Sequence, residues 1–205
     1  MGLSPRGRPL HATGLLQEVE RAADAAGGWD AVDLLAVGLG PGTFTGIRVG
    51  IASARGLSLS RSLPVRGVCT LDVLGRGIQA QSEGAALAVL DGWRGEVFAA
   101  LYGADGDRVW EPAVYRPEEL AERIGALGET PAVAGSGAVR FRKELTRDGV
   151  RIADDSDPVH RVAARHLCAL AATTAGEESE KLAPIYLRPP DAERWRERDA
   201  SQRAK

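Results

Sequence analysis

A glycine-rich segment, VGLGPGTFTGIRVG at residues 37–50, constrains the fold of this chain more than any other feature. The apolar run Leu34–Val37 at its start predicts a buried strand, and the helical spacing of apolar residues at its end predicts a helix over Phe44–Ser60. A strand, a tight loop and a helix in succession favour the α/β class. We therefore expect the loop to bring a strand and a helix into close contact.

The loop matches neither of the common phosphate-binding motifs. A Walker loop needs a lysine after its last glycine, and Ile47 follows Gly46 here. The dinucleotide motif GxGxxG fails as well, because its last glycine falls on Thr43 or Thr45. A strand–loop–helix corner still offers amide donors at the start of the helix, although Pro41 removes one of them. Two interpretations remain, a structural corner and a direct ligand contact, and in either case the two threonines can cap the helix.

Length and composition exclude several classes of protein. The 205 residues suffice for one large domain or two small ones with a substantial core. A net charge of −2 and a pI of about 6.0 give no basic excess that would favour nucleic acid. Cys69 and Cys168 lie far apart without CxxC spacing, which predicts two buried thiols in a reducing compartment. We see no secretory leader and no apolar run of membrane-spanning length, so we expect a cytoplasmic protein without membrane contact.

The remaining pattern divides the chain into two related halves. Further helices are predicted over residues 10–26, 70–80, 117–127, 140–148 and 157–176, with Thr70 and Asp157 as caps, and further strands over residues 63–68, 87–90, 96–102, 108–114, 132–138 and 182–190. The second half reads strand–strand–strand–helix–strand–helix, and the first reads helix–strand–helix–strand–helix. This indicates a duplicated unit whose first copy lacks its three opening strands. We expect a first subdomain over residues 1–82 that a C-terminal segment completes, a second over residues 83–187, and a mobile charged tail over residues 188–205.

Three segments together resemble the TsaB (YeaZ) family. Residues 37–74 carry a form of its GPG[ST]FTG[LI]R signature, DGWRGEVFAALY at residues 91–102 is similar to its second-domain hairpin, and PIYLRPPDAE at residues 184–193 is similar to its C-terminal strand. The resemblance covers nearly the whole chain. It implies an actin-like, sugar-kinase-like fold of two βββαβα units, in agreement with the duplication.

The resemblance also implies a function. TsaB proteins serve in the bacterial synthesis of threonylcarbamoyladenosine at position 37 of tRNA, where they bind and stabilise the catalytic paralogue TsaD without being catalytic themselves. For this chain it implies a heterodimer with TsaD, a larger complex with the ATPase TsaE, tRNA reached only through that complex, and a homodimer when the chain is alone. No cofactor is expected. The alternative is an independent actin-like ATPase or phosphotransferase.

The residues that would form a metal site are replaced. The catalytic paralogue carries an HxxxH motif, and Thr70 and Leu74 stand at the corresponding positions here. His160 and His166 are six residues apart, hence on different faces of a helix, and His11 is distant in sequence. HExxH and GxSxG motifs are absent. We therefore expect neither a metal site nor a catalytic residue.

The resemblance assigns roles to two groups of residues. The signature loop comprises Gly40, Pro41, Gly42, Thr43, Phe44, Thr45, Gly46 and Arg48, and is expected to act as a scaffold that positions the following helix. The partner interface is expected on the first helix and on the helix after the loop, at Leu15, Leu16, Val19, Ala23, Ile47, Gly50, Ile51, Ala54 and Leu57. The competing interpretation is that both helices only cover the sheet.

The start of the chain departs from the family pattern. Family members open with a strand that bears a DTS-like motif and with two further strands, whereas this chain begins at the helix that follows them. We therefore expect a native start upstream of Met1. For the chain as it stands, we expect an exposed edge and an exposed face at residues 34–37, with poor solubility or oligomerisation as the result.

Overall fold

The computed structural model describes residues 14–146, 149–173 and 181–188. In its first half α1 is Leu15–Ala25, β1 is Leu35–Gly40, α2 is Phe44–Arg61, β2 is Val65–Cys69 and α3 is Thr70–Gln79. The second half opens with β3 at Ala86–Asp91, β4 at Val97–Tyr102 and β5 at Arg108–Tyr115. It continues with α4 at Pro117–Gly125, β6 at Ala132–Ala134, α5 at Ser136–Arg140, α6 at Arg142–Leu145 and α7 at Ala164–Thr173. Short 3-10 turns lie at Trp29–Ala31 and Pro158–His160. The predicted α/β class is confirmed.

The strands form two sheets. β1 and β2 are parallel neighbours in a two-stranded sheet, and α2 makes the crossover between them. The four-stranded sheet has the order β5-β4-β3-β6, in which β5, β4 and β3 are antiparallel and β6 runs parallel to β3. Ile152 adds an isolated parallel bridge to Val133 on the far side of β6. Three antiparallel strands, a helix and a parallel strand therefore follow in the order expected for the second half.

The small sheet is covered on both faces. Val37, with the half-buried Leu35 and Leu39, packs against α2, whereas Leu34 and Ala36 pack in a cluster with α7. Successive side chains of a strand point to opposite faces, so each helix receives alternate residues of β1. The expectation of an exposed face at residues 34–37 is therefore wrong, because α7 returns from the end of the chain to cover it.

Helix α3 lies between the two sheets. Leu71, Leu74 and Ile78 are at most 2% exposed and pack on the four-stranded sheet. Val73 points the other way, into the cluster that contains Ala171 of α7. The other face of the large sheet is covered by α4, α5 and α6. The layers are thus α2, the small sheet, α3 with α7, the large sheet, and α4 to α6.

Three predicted elements differ from the structure. The helix predicted over residues 157–176 is a 3-10 turn followed by α7, because Val159 packs under the large sheet whereas Ala171 packs under the small one. The strand predicted over residues 132–138 ends at Ala134, because the next glycine has φ 123° and α5 begins directly after it. The helix predicted over residues 140–148 is split between α5 and α6.

The strand predicted over residues 182–190 does not form in its described part. Residues 182–188 make a single backbone hydrogen bond to β1, from the Ile185 N–H to the Leu39 carbonyl at 2.8 Å. Without further bonds the segment is no strand, yet it still covers the edge of β1.

The predicted helix caps are correct for Asp157 and wrong for the threonines. The Asp157 carboxylate accepts a hydrogen bond from the Val159 N–H at 2.8 Å and so caps the second 3-10 turn. Thr43 occupies the cap position of α2 without a side-chain bond, and Thr45 lies inside that helix. Thr70 is the first residue of α3 rather than its cap.

The two cysteines differ in environment. Cys69 is buried, and burial, followed by the nearby charge of Asp72, raises the pKa of its thiol. Cys168 is exposed on α7, so the expectation of two buried thiols is wrong for this residue.

Several predictions concern residues outside the described ranges. These are the start of the first helix at residues 10–13, the segment 174–180 and the charged tail over residues 189–205. The division into subdomains after residue 82 stays a prediction. Within the described ranges, no helix is long and apolar enough to cross a membrane.

Candidate functional site

The glycine-rich loop between β1 and α2 is a tight corner. Gly40 has φ 106°, and a Cβ there would lie 2.8 Å from Ile47 Cδ1 and 2.9 Å from the Ile185 carbonyl oxygen. A Cβ at Gly46 would lie 2.6 Å from Thr43 Oγ1. Glycine is therefore needed at both positions, at the first for its backbone conformation and at both for close packing.

The middle of the loop is closed rather than open to a ligand. Pro41 is buried, is joined to Gly40 by a cis peptide bond, and has no N–H to donate. Gly42, Thr43 and Thr45 are exposed at the start of α2. This geometry suits the interpretation of the loop as a scaffold.

An aromatic and cationic cluster stands at the start of α2. Phe44 stacks on Tyr186, with 5.6 Å between the ring centroids and an interplanar angle of 22°. The Arg48 guanidinium lies 3.8 Å from the Phe44 centroid, and its Nε donates a hydrogen bond to the Tyr186 hydroxyl at 2.8 Å. The two rings remain 47% and 38% exposed. Ordered but accessible aromatic and arginine side chains are typical of the residues that dominate protein interfaces.

Residues 181–188, named here the C-terminal strap, hold α2 in place. Leu182 is 2% exposed and packs in the core between β1 and α2. Its carbonyl accepts a hydrogen bond from Arg55 of α2 at 2.7 Å. Further along, Arg188 forms an ion pair with Glu96 beside the large sheet. The strap thereby connects α2 to both halves of the molecule.

Helix α2 has a buried face and an exposed face. Ile47, Ile51 and Ala54 are between 5% and 9% exposed and pack against the small sheet. Gly50 faces the same way, since a Cβ there would lie 3.7 Å from Val37 Cγ2, and Leu57 is half-buried. The exposed face carries Phe44, Arg48, Ala52, Gly56 and Leu59. Five of the residues predicted for the partner interface therefore lie in or near the core, and the accessible surface of α2 is its other face.

Helix α1 packs little against the rest of the described chain. Its one buried residue is Ala23, and its main contact is the 3-10 turn that follows it, where Trp29 Nε1 donates to Glu20 at 3.0 Å. The other predicted interface residues form an apolar stripe on this helix, with Leu16 55% exposed and Leu15 and Val19 half-buried. This stripe remains open to a partner.

A second corner, between β6 and α5, is held together by internal hydrogen bonds. The Gly135 N–H donates to Nδ1 of the buried His160 at 3.1 Å, and Nε2 of that ring lies 3.2 Å from the Ala153 carbonyl. These partners fix the neutral tautomer with the proton on Nε2. Nearby, Arg140 pairs with the Asp91 carboxylate at 2.6 Å. His160 is thus a packing histidine whose two ring nitrogens are both used.

The positions of the paralogue's metal ligands belong to the fold here. Leu74 is 0% exposed under the large sheet, and Thr70 begins α3. The described residues contain no group of three His, Cys, Asp or Glu side chains placed to hold a metal ion.

Comparison with known proteins identifies the family. A family model described as "TsaD: tRNA N6-adenosine threonylcarbamoyltransferase" matches residues 8–193. The tRNA threonylcarbamoyladenosine biosynthesis protein TsaB of Escherichia coli is 35% identical over 171 residues, which make up 77% of this chain and 71% of that protein. The chain belongs to the TsaB (YeaZ) family. The family expected from the glycine-rich signature is confirmed.

Solved structures of YeaZ proteins share the fold. YeaZ from Pseudomonas aeruginosa superimposes with a TM-score of 0.72 at 29% identity, covering 88% of this chain and 87% of that one. A crystal structure described as an uncharacterized protein with similarity to peptidase YEAZ, from the same organism, gives a TM-score of 0.72 at 31% identity over 87% and 85% of the two chains. The TsaD-like, actin-like fold class is therefore confirmed.

Proposed function

We propose that this chain is the non-catalytic partner of TsaD in the transfer of a threonylcarbamoyl group to adenosine 37 of tRNA. Its membership of the TsaB family supports a role in tRNA threonylcarbamoyladenosine biosynthesis. In this proposal TsaE joins the same complex, tRNA meets the chain only within it, and the complex works in the cytoplasm.

The open apolar stripe of α1 is the observation that carries this proposal. Leu16 is 55% exposed although it lies on the same helix face as apolar neighbours. Apolar surface removed from water stabilises a complex by about 25 cal/mol per Å². A helix whose apolar face has little packing of its own gains most of that energy from a partner.

The exposed face of α2 extends the same surface. Arg61 at its end lies 4.6 Å from the ring centroid of Trp29, which itself contacts α1, so the two helices are neighbours. The small residues Ala52 and Gly56 are exposed on α2 and allow a partner helix to approach closely. We expect α1 and α2 to form a helical bundle with TsaD, or with a second copy of the chain when TsaD is absent.

The replaced metal ligands support a non-catalytic role. Leucine has no donor atom, and the Leu74 side chain is fully buried. A threonine hydroxyl, as at Thr70, is not among the usual ligands of a divalent transition metal. The chemistry of the proposed complex would therefore belong to TsaD.

The test is co-expression of this chain with TsaD from the same genome, followed by size-exclusion chromatography with light scattering. We expect a one-to-one complex. Leu16→Asp places a carboxylate in the apolar stripe, and we expect it to weaken TsaD binding by about tenfold or more. The matched control is Gln17→Asp, at an exposed neighbouring position, which should bind as the unaltered chain does.

The choice of variant separates binding from folding. Substitution of Ala54, one of the predicted interface residues, would disturb the core because that residue is only 9% exposed. Leu16→Asp and Gln17→Asp should both keep the melting temperature of the unaltered chain. Equal TsaD affinity of all three proteins would rule out the α1 interface, and no complex with any of them would rule out the partner role.

A further inference from the structure

A polar cavity opens between α3, α7 and the turn that joins β4 to β5. Its volume is about 380 Å³, within the size range of small-molecule sites. Its polar lining includes Asp72, Arg76, Gln79, Tyr102, Asp107 and Thr173. Tyr102 pairs with Ala86 at the beginning of β3, whereas the strap contacts Glu96 at the opposite end of β4. The cavity is therefore remote from the signature loop and from the proposed TsaD interface.

One wall of the cavity is a fixed hydrogen-bond network. Arg108 donates to both carboxylate oxygens of Asp72, at 2.9 and 2.6 Å, and the Tyr102 hydroxyl donates to the same carboxylate at 2.8 Å. Burial, followed by the charge of Asp72, raises the pKa of Tyr102 well above its usual value, so the hydroxyl keeps its proton. Gln79 donates to the Gly103 carbonyl at 2.6 Å. This wall is rigid, and its charges are already paired.

Beside the cavity lie basic groups that are not paired with any carboxylate among the described residues. Arg165 Nε donates to His166 Nε2 at 3.1 Å, and a Cβ on Gly77 would lie 3.3 Å from the same imidazole. Burial, then the charges of Arg165 and Arg76, lower the pKa of His166, which keeps the ring neutral beside two guanidinium groups. Guanidinium groups in such proximity repel one another until an anion lies between them, and phosphate is the anion that their N–H forks match best.

We propose that this cavity binds a phosphorylated nucleoside, either a free nucleotide or a nucleotide within an RNA chain. Arg76 and Arg165 bind the phosphate. The Asp107 carboxylate lines the cavity and has no side-chain partner among the described residues, so it accepts hydrogen bonds from sugar hydroxyls or a base amine. A ligand with an anionic end and a donor-rich end matches a site that carries cations and an unused carboxylate. The site does not depend on TsaD binding.

The test uses the full chain and titrates it with AMP, with adenosine, and with a five-nucleotide single-stranded RNA, by calorimetry and by amide NMR shifts. We expect AMP or the RNA to bind at least about tenfold more tightly than adenosine, because the phosphate supplies the charge-assisted bonds. The amides that shift should belong to residues 76–79, 103–108 and 165–173. Binding of AMP alone identifies a free nucleotide as the ligand, and tighter binding of the RNA identifies an RNA chain.

Two exposed arginines and one control make the test specific. Arg76→Ala and Arg165→Ala should each weaken binding by about tenfold without changing the melting temperature. Arg116→Ala, at the other end of β5 and equally exposed, should leave binding unchanged. The proposal is overturned if neither phosphorylated ligand binds at millimolar concentration, if the three variants behave alike, or if the shifts fall instead at residues 40–46.

Discussion

At the scale of the residue, Gly40 determines how the chain passes from β1 into α2. Its φ of 106° is a conformation that side chains with a Cβ rarely adopt, and a Cβ would meet the Ile185 carbonyl oxygen at 2.9 Å. That oxygen belongs to backbone and cannot rotate away as a flexible side chain can. We therefore expect Gly40→Ala to lower the free energy of unfolding by about 1–3 kcal/mol.

The same loop contains a matched control for this substitution. Gly42 has no unusual φ, and a Cβ there would meet Ile47 at an ordinary 3.7 Å. Gly42→Ala should change the free energy of unfolding by no more than about 0.5 kcal/mol in a urea titration. Equal losses in the two variants would show that the backbone conformation of Gly40 is not what fixes the corner.

Single residues could be predicted from the sequence where the reason is local. The Asp157 cap needs only its own side chain and the amide two residues on, and it is present. The threonine caps were also local predictions, yet Thr43 makes no side-chain bond to the helix it precedes. The Phe44–Arg48–Tyr186 cluster could not be predicted, because Tyr186 approaches α2 from far along the chain.

At the scale of the element, the C-terminal strap stabilises α2 by burying Leu182. This side chain is 2% exposed in the core between β1 and α2. Removing three carbons from a buried leucine loses transfer free energy and leaves a cavity. We expect Leu182→Ala to lower the free energy of unfolding by about 2–5 kcal/mol.

An exposed leucine on α2 provides the comparison. Leu59 is 78% exposed, so Leu59→Ala should change the free energy of unfolding by no more than about 0.5 kcal/mol under the same conditions. If Leu182→Ala were as mild as Leu59→Ala, the strap would be a loosely attached segment rather than part of the core.

Elements were predicted well where hydrophobic periodicity was long and uninterrupted. Phe44–Arg61 and the three strands of the second half lie close to their predicted ranges. Errors arose where a segment has to serve two cores, as in the region that contains Val159 and Ala171, since periodicity does not show to which layer a residue packs. The strap failed as a strand for a related reason, because its side chains are held by distant partners while its backbone makes one ladder bond.

At the scale of the whole molecule, α3 makes the two sheets depend on each other. Leu74 packs under the large sheet, and the adjacent Val73 packs with β2 and α7 under the small one. Neither sheet can lose this helix without exposing apolar core. The order of elements could be read from the sequence, but this shared helix could not, because an all-round apolar pattern does not reveal what lies on each side.

Leu74→Ala tests whether the molecule unfolds as one unit. The side chain is 0% exposed, so we expect a loss of about 2–5 kcal/mol in the free energy of unfolding. Because α3 is shared, amide hydrogen exchange should show the same loss for the most protected amides of β1 and β2 as for those of β3 and β4. Leu16→Ala, at a position 55% exposed, should leave both sets of amides unchanged. A loss of protection confined to β3 and β4 would mean that the two sheets open independently and that α3 belongs to the large sheet alone.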